Sequence, residues 1–442
     1  MDSATSENDG PGWTAGDDWV IEPPGPMPGP MPDPTPDPMP APIPVIGARF
    51  QGEPATLYRE LRREHGDVVP VLLDGGVPAW LVLGYRELHQ VTSDPVLFSR
   101  DSELWNQWAN IPPDWPLLPV ISREQPSILG TVGERHRERA TMVGDALEAV
   151  DPLALRGHVE RFADELIDAV CETGRADLVT QYAALLPVRV LAFLFGFPEE
   201  QGPGLVAAMN DILDGHERAM AGEAHLTSSM ARLVDERRHR PADDVVSRVL
   251  ANPYGFTVEE VTHDVMVMLA AGHQPTADWI GNSLRLMLTD ERFAASLFGG
   301  RSSVAEAMNE VLWEDAPIQN AAGRWTTRDT GLGGRRLRAG DLVLLGLQGA
   351  NSDPRVRTPG AALTGGNNAH FSFGHGEHRC PFPAQEVAEV IARTGIEVVL
   401  DRLPDIDLAV PAEQLRRRAS PWLRGLVGLP VRFEPTAAVG RG

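Results

Sequence analysis

Phe373-Gly374-His375-Gly376-Glu377-His378-Arg379-Cys380 is a glycine-punctuated loop that delivers one cysteine to the start of a helical pattern. Gly374 and Gly376 allow positive φ and a close approach of the backbone to a flat ligand. The segment after it, Ala384 to Leu400, is apolar at helical intervals. The Cys380 sulfur is therefore expected beside a helix N-terminus, where the dipole favours an anion. The loop reads as a metal-ligating thiolate site.

Cys380 has one fellow cysteine, Cys171, and neither shows the paired spacing of a zinc ribbon or a CxxC redox motif. Disulfides and cysteine-rich metal sites are thus disfavoured. Cys171 closes Phe162-Ala163-Asp164-Glu165-Leu166-Ile167-Asp168-Ala169-Val170-Cys171, apolar at helical spacing, and reads as a buried structural thiol. A lone thiolate in a loop that admits a flat ligand fits haem iron, and such a ligand pushes electron density that favours O–O cleavage. A competing zinc cluster of His375, His378 and Cys380 lacks a fourth ligand nearby.

The 442 residues, 42% hydrophobic, are ample for one large domain. A formal charge of -23 argues against nucleic acid as partner and suits solubility. There is no uncharged apolar run of about 18 residues and no basic-then-apolar N-terminus, so no integral membrane segment or secretory signal is expected, and the location is read as cytoplasmic. From Pro23 to Pro44 proline recurs nearly every second residue. Residues 1–44 are accordingly predicted to be a disordered arm, a solvated tail or a docking segment for a protein partner. The folded domain is placed at 45–435 and a flexible tail at 436–442.

Periodicity predicts helices at Pro54 to His65, Tyr85 to Thr92, Glu134 to Val150, Leu155 to Cys171, Leu178 to Phe195, Pro203 to Arg240, Val258 to Thr289, Ser303 to Trp313 and Ala384 to Leu400. Strands are predicted at Val68 to Leu73 and Ala79 to Leu83, joined by Asp74-Gly75-Gly76, then at Leu342 to Leu347 and Leu429 to Phe433. The fold class is mainly α with small β-sheets. Thr257-Val258-Glu259-Glu260 is a capping box that opens a buried helix. Ala271-Gly272-His273-Gln274-Pro275-Thr276 then interrupts that helix with small residues, against which a ligand can lie, and with a proline expected to kink it.

Together these segments resemble soluble actinobacterial-type cytochromes P-450. The resemblance rests on Phe373-x-x-Gly376-x-x-x-Cys380 with His378, on Ala271-Gly272-His273, on Ala350-Asn351-Ser352-Asp353-Pro354 and on Arg237-Arg238-His239-Arg240-Pro241-Ala242-Asp243-Asp244, over about residues 45 to 435. It implies a triangular helical domain enclosing haem b (iron protoporphyrin IX), with Cys380 as proximal iron ligand, Phe373, Gly374 and Gly376 shaping the loop, and Ala271 and Gly272 against the distal face. His378, Arg324, His136 and Arg139 are the residues it offers to the haem propionates, Arg139 falling one position early for the family pattern.

Three departures accompany it. The family's acid and alcohol after Ala-Gly-x correspond to Gln274 and Pro275, leaving Thr276, about 100° further round the helix, or His273 as substitute distal relay residues. Glu310-Val311-Leu312-Trp313 carries tryptophan where the family has arginine, as in a minority subgroup, so Glu310 is expected to find another cation or donor or to be neutral. Cys380-Pro381-Phe382-Pro383 lacks two amides that would face the sulfur.

Trp105, Trp108 and Trp115 either line the distal pocket, implying a bulky apolar substrate, or pin their loop to the core. The resemblance implies a monooxygenase acting on a small apolar molecule with O2 and electrons from a separate ferredoxin and ferredoxin reductase, since no flavin or iron–sulfur motif is present in the chain. The alternative is a non-monooxygenase haem protein, peroxide-dependent or regulatory, on the same fold.

Overall fold

The computed structural model describes residues 41–45, 54–123, 126–214, 218–294, 302–357 and 367–440; the proline-rich arm up to residue 40 lies outside them. In chain order the elements begin with β1 (Ile43–Pro44), α1 (Pro54–His65), β2 (Val68–Leu73), β3 (Val77–Val82), α2 (Tyr85–Ser93), β4 (Phe98–Ser99), α3 (Gly133–Glu148) and α4 (Pro152–Asp168). There follow β5 (Arg175–Asp177), α5 (Leu186–Phe195), α6 (Gly202–Asp214), α7 (Ala219–His239), α8 (Val245–Leu250), α9 (Val258–Thr289), α10 (Glu291–Ala294) and α11 (Ser302–Glu314). The chain closes with β6 (Ala321–Thr326), β7 (Thr330–Leu332), β8 (Arg335–Leu337), β9 (Leu342–Leu345), α12 (Leu347–Asn351), α13 (Phe382–Arg402), β10 (Asp407–Leu408) and β11 (Pro430–Arg432).

One sheet runs β1-β2-β3-β9-β6-β4, with β1/β2 and β3/β9 parallel and the other pairs antiparallel. Both its faces are covered. Val69, Val71, Leu81, Leu342 and Leu344 pack on one side, Val68, Val82, Val343 and Leu345 on the other, as period-two side chains require. A second core, built almost wholly from helices α3–α9, α11 and α13, forms the bulk of the domain.

α9 is the axis of that core, packing against α5, α7, α11 and α13. Its predicted capping box is formed: Glu260 N donates to Thr257 Oγ1 (3.2 Å) and Thr257 N to Glu260 Oε2 (2.8 Å). The helix is not interrupted at Ala271 to Thr276; it runs for 32 residues with Pro275 inside. Tertiary packing on all sides holds it where propensity alone would break it.

Other boundaries also shift. Pro203 to Arg240 is two helices, α6 and α7. Leu178 to Phe195 begins as a π-helical turn (Val179–Ala183) before α5. α4 starts earlier, at Pro152, because Asp151 caps it through Leu153 N (2.9 Å). Ile43 and Pro44, assigned to the arm, pair with Val71 and Leu72. The supposedly flexible tail is tied down: Thr436 N donates to Cys171 O (3.0 Å), and Val439 N and Gly440 N to the Asp168 carboxylate (both 3.1 Å). Cys171 is fully buried, as expected. Trp105 and Trp115 are buried in the core against one face of the sheet, with Trp108 packed on them; the loop is pinned, and none of the three lines the pocket at Cys380.

Candidate active site

The Cys380 loop is closed by its own backbone. Gly374 N donates to Phe371 O (2.7 Å), Arg379 N to Gly376 O (3.2 Å) and Cys380 N to Phe373 O (2.8 Å). Gly376, at φ 76°, abuts α2, where an added Cβ would run into the Thr92 carbonyl. It is a packing glycine and does not line the pocket, whereas Gly374 and Phe373 do. His375 Nδ1 lies 3.0 Å from Thr92 Oγ1, and its ring stacks on His89. Among the described residues no group of three His, Cys, Asp or Glu side chains is placed to hold a metal ion.

Cys380 and α9 face one another across a cavity of about 410 Å³. Val267, Met268, Ala271, Gly272, Pro275, Thr276 and Trp279 line it, the i, i+4, i+8 face of one helix and its neighbours. Leu191, Phe195, Val143 and Leu147 add apolar walls. A wider groove of about 1190 Å³ lies beside α11 and the ligand loop, but Cys380 does not line it, so the smaller cavity is the site.

His273 and Gln274 are displaced from the role considered for them. His273 is fully buried, its Nε2 lies 2.9 Å from Ala184 O, and burial pushes its imidazole down to about 4. Gln274 Nε2 donates to Asp278 Oδ1 (2.9 Å). Neither lines the cavity, because residues 100° and 200° beyond Gly272 turn to other neighbours. Thr276 does line it, as does Pro275.

Arg139 is displaced too. It is buried against α9, bonded to Asp264 and, at 2.6 Å, to Glu260 Oε1. Its register on α3 aims it at that pair; burial pushes the Asp264 carboxyl up to about 6, against the pull of Arg139. Asp264 Oδ1 also accepts from Ile128 N (2.6 Å) and so holds the loop before α3.

The cation that sequence reasoning passed over is Arg100, directly after β4. It lines the cavity and donates to Leu129 O (2.8 Å), Ala322 O (2.5 Å) and Gly323 O (3.1 Å), and burial pushes it down to about 10. Arg324 lines the same wall and is 3% exposed; burial first, then Arg100, weigh against its charge. Guanidinium keeps its proton in proteins, so this field amounts to a demand for an anion. His378, with both ring nitrogens buried and unbonded, is pushed down to about 2 by burial first and then by Arg100 and Arg324. His136 lines the cavity, but its nitrogens each face a carbonyl at 3.1 Å, Ile128 O and Glu377 O, which makes it a strap between two loops.

At Cys380 burial pushes the thiol up to about 12, with Arg379 pulling the other way. A flat group with a cation to meet that sulfur, and carboxylates to meet Arg100, Arg324 and His378, fits these residues; haem is such a group.

No protein-family model matches the chain. It is 31% identical to cytochrome P-450 SU2 of Streptomyces griseolus over 390 residues, 86% of this chain and 93% of that protein. It is 28% identical to the 2-hydroxy-5-methyl-1-naphthoate 7-hydroxylase of Streptomyces carzinostaticus over 407 residues, 89% and 97% of the two chains. Among solved structures, CYP154C4 from Streptomyces sp. W2061 superposes with a TM-score of 0.80 at 25% identity, covering 91% of this chain and all of that one. The tirandamycin C-bound monooxygenase TamI gives 0.78 at 28% identity, covering 89% and 100%.

Proposed function

The chain belongs to the cytochrome P-450 family of haem-dependent monooxygenases, and from that premise we propose that it hydroxylates or epoxidises a small apolar molecule while delivering protons to bound oxygen less efficiently than its relatives. The observation that carries the reading is the opposition of Cys380 to a largely apolar α9 face across one cavity. Relatives include a naphthoate hydroxylase and a monooxygenase with bound tirandamycin C, each on a small molecule.

Haem held by Cys380 supplies the oxygen chemistry, with the thiolate lending electron density that favours O–O cleavage. Arg100, Arg324 and His378, on the wall of the same cavity, would hold the haem carboxylates. Ala271 and Gly272 keep the distal wall thin. Val143, Leu147, Leu191, Phe195, Val267 and Met268 receive the substrate and exclude water, so that a bound C–H bond is presented without competing hydrolysis or proton leakage.

Thr276 is the α9 hydroxyl that reaches the cavity and is the group to hold a proton-bearing water there. Position 274 itself, directly after Ala271-Gly272-His273, carries an amide bonded to Asp278 and has no proton of its own to pass to that water. Electrons come from a ferredoxin and its reductase. Trp313 at the position of the arginine in the family's Glu-x-x-Arg is what supports assigning the chain to the subgroup without it, and the proline-rich arm is either a docking segment for a protein partner or a solvated tail.

The test is a carbon monoxide difference spectrum followed by turnover with a surrogate ferredoxin system and, separately, with peroxide. A thiolate adduct with oxidation under either regime is expected, peroxide giving the larger share. A thiolate adduct without oxidation of any apolar substrate under either regime would overturn the reading.

A further inference from the structure

The last turn of α11 is fastened to the ligand loop at several points. Leu312 O accepts from Ser372 Oγ and from Asn351 Nδ2 (2.9 Å), and Asn351 Oδ1 accepts from Phe371 N (2.7 Å). Trp313 Nε1 donates to Asn367 O (2.9 Å). The Trp313 ring meets His370 edge-on at 5.7 Å, His370 lies 6.1 Å from Phe373, and the Phe373 carbonyl accepts from Cys380 N. A continuous path of contacts therefore leads from Trp313 to the ligand.

Glu310 stands one turn earlier and is 1% exposed. A carboxylate so buried needs a cation, and the residue three positions on, which would supply one on the same helix face, is Trp313. The cation comes from elsewhere. Arg357 Nη2 lies 2.6 Å from Glu310 Oε2 and 3.8 Å from Glu314 Oε1. The turn that carries Arg357 is fixed by Arg357 N donating to Asp353 O (3.0 Å). The same guanidinium sits over the Trp313 ring, its central carbon 5.5 Å from the centroid, within the range of a cation–π contact.

Resting on the haem-thiolate reading above, we propose that Arg357 and Trp313 together replace the arginine that α11 lacks, and that Arg357 is a positioning residue for the Cys380 loop. It neutralises Glu310 and, pressed on the indole, holds the ring whose N–H and edge set residues 367–373. An arginine at 313 could serve Glu310 but would offer the loop no comparable flat surface. Arg357 lies three residues after Pro354 of Asn351-Ser352-Asp353-Pro354, so its place in the chain is tied to the same turn that bonds Ser372 and Phe371.

The test measures haem loss to excess apomyoglobin, the thiolate fraction of the carbon monoxide adduct and the thermal midpoint of the holoprotein. Arg357→Ala is expected to lose haem roughly tenfold to a hundredfold faster, the range for groups that orient metal ligands, with a smaller thiolate fraction. Adding Glu310→Gln removes the buried charge and should restore the thermal midpoint while leaving haem loss fast. Trp313→Leu, which keeps the Arg357–Glu310 pair, should also lose haem faster than wild type. Recovery of both readouts in the double variant, or wild-type haem retention in Trp313→Leu, would overturn the proposal and leave Arg357 a mere counter-charge. If Arg357→Ala does not fold, Arg357→Lys keeps the charge without the flat guanidinium; haem loss at the wild-type rate in that variant overturns the proposal. A wild-type protein with no thiolate adduct would instead overturn the haem-thiolate reading on which it rests.

Discussion

The two sides of the Cys380 cavity have met the loss of family residues differently. Beside α11 the missing arginine is answered by Arg357 on Trp313, and the loop is tied by Asn351, Ser372 and Asn367. On the propionate side Arg139 has gone to Asp264, and Arg100 lines the wall instead. Along α9 there is no such replacement: glutamine stands at 274 bonded to Asp278, proline at 275, and His273 turns to Ala184. We propose that new residues take over the anchoring of the cofactor, while proton delivery is left to one displaced hydroxyl, Thr276. On our proposal the chain keeps its grip on haem and relaxes its relay.

The largest effect should come from Cys380→Ser, which removes the iron ligand and with it the thiolate adduct in the carbon monoxide spectrum; a retained adduct would break the anchoring half of the comparison. Next, Arg100→Ala should weaken haem retention roughly tenfold, the lower end for orienting groups, as read by transfer to a haem acceptor. An unchanged rate would show that Arg324 and His378 suffice. Thr276→Val should lower ferredoxin-driven turnover by only about tenfold, below the ~10²-fold minimum usual for a positioned acid–base group, with less effect on the peroxide reaction. A hundredfold loss would show that the relay is intact and merely shifted by one residue.

A separate effect, read on stability and not on turnover or haem retention, is the dependence on pH. His273, pushed down to about 4 from an unfolded value near 6.5, is favoured in its neutral form by folding. A depressed pKa contributes stability that is fully present above pH 6.5 and is lost as pH falls toward 4, by up to about 3 kcal/mol on linkage grounds. His370, in the ligand loop, is likewise pushed down to about 4 by burial. Urea midpoints measured across this window should flatten in His273→Asn and in His370→Asn. Flattening in one alone would locate the acid-sensitive half of the molecule.

Much of this was legible in the chain. α1 and α9 match their predicted limits residue for residue, since capping box, apolar period and flanking proline all agree there. The Cys380 loop carries its conformation in its glycines, Gly374 and Gly376, both at positive φ. What sequence could not supply was direction around a helix and partners across it. Gln274, Pro275 and Thr276 are adjacent in the chain, yet one bonds Asp278 while the others line the cavity. Arg357 and Glu310 are 47 positions apart, and Arg100 and Arg324 are brought together by β4 pairing with β6. The three tryptophans could have faced ligand or core with equal composition; only the packing of the loop against the sheet decides it.

The deciding quantity is coupling, the product formed per reducing equivalent consumed with a surrogate ferredoxin system, compared between wild type and Gln274→Glu/Pro275→Thr. Poor coupling is expected in the wild type, with a several-fold rise when acid and alcohol are restored. Tight coupling in the wild type, with no gain or a loss in the variant, would contradict it.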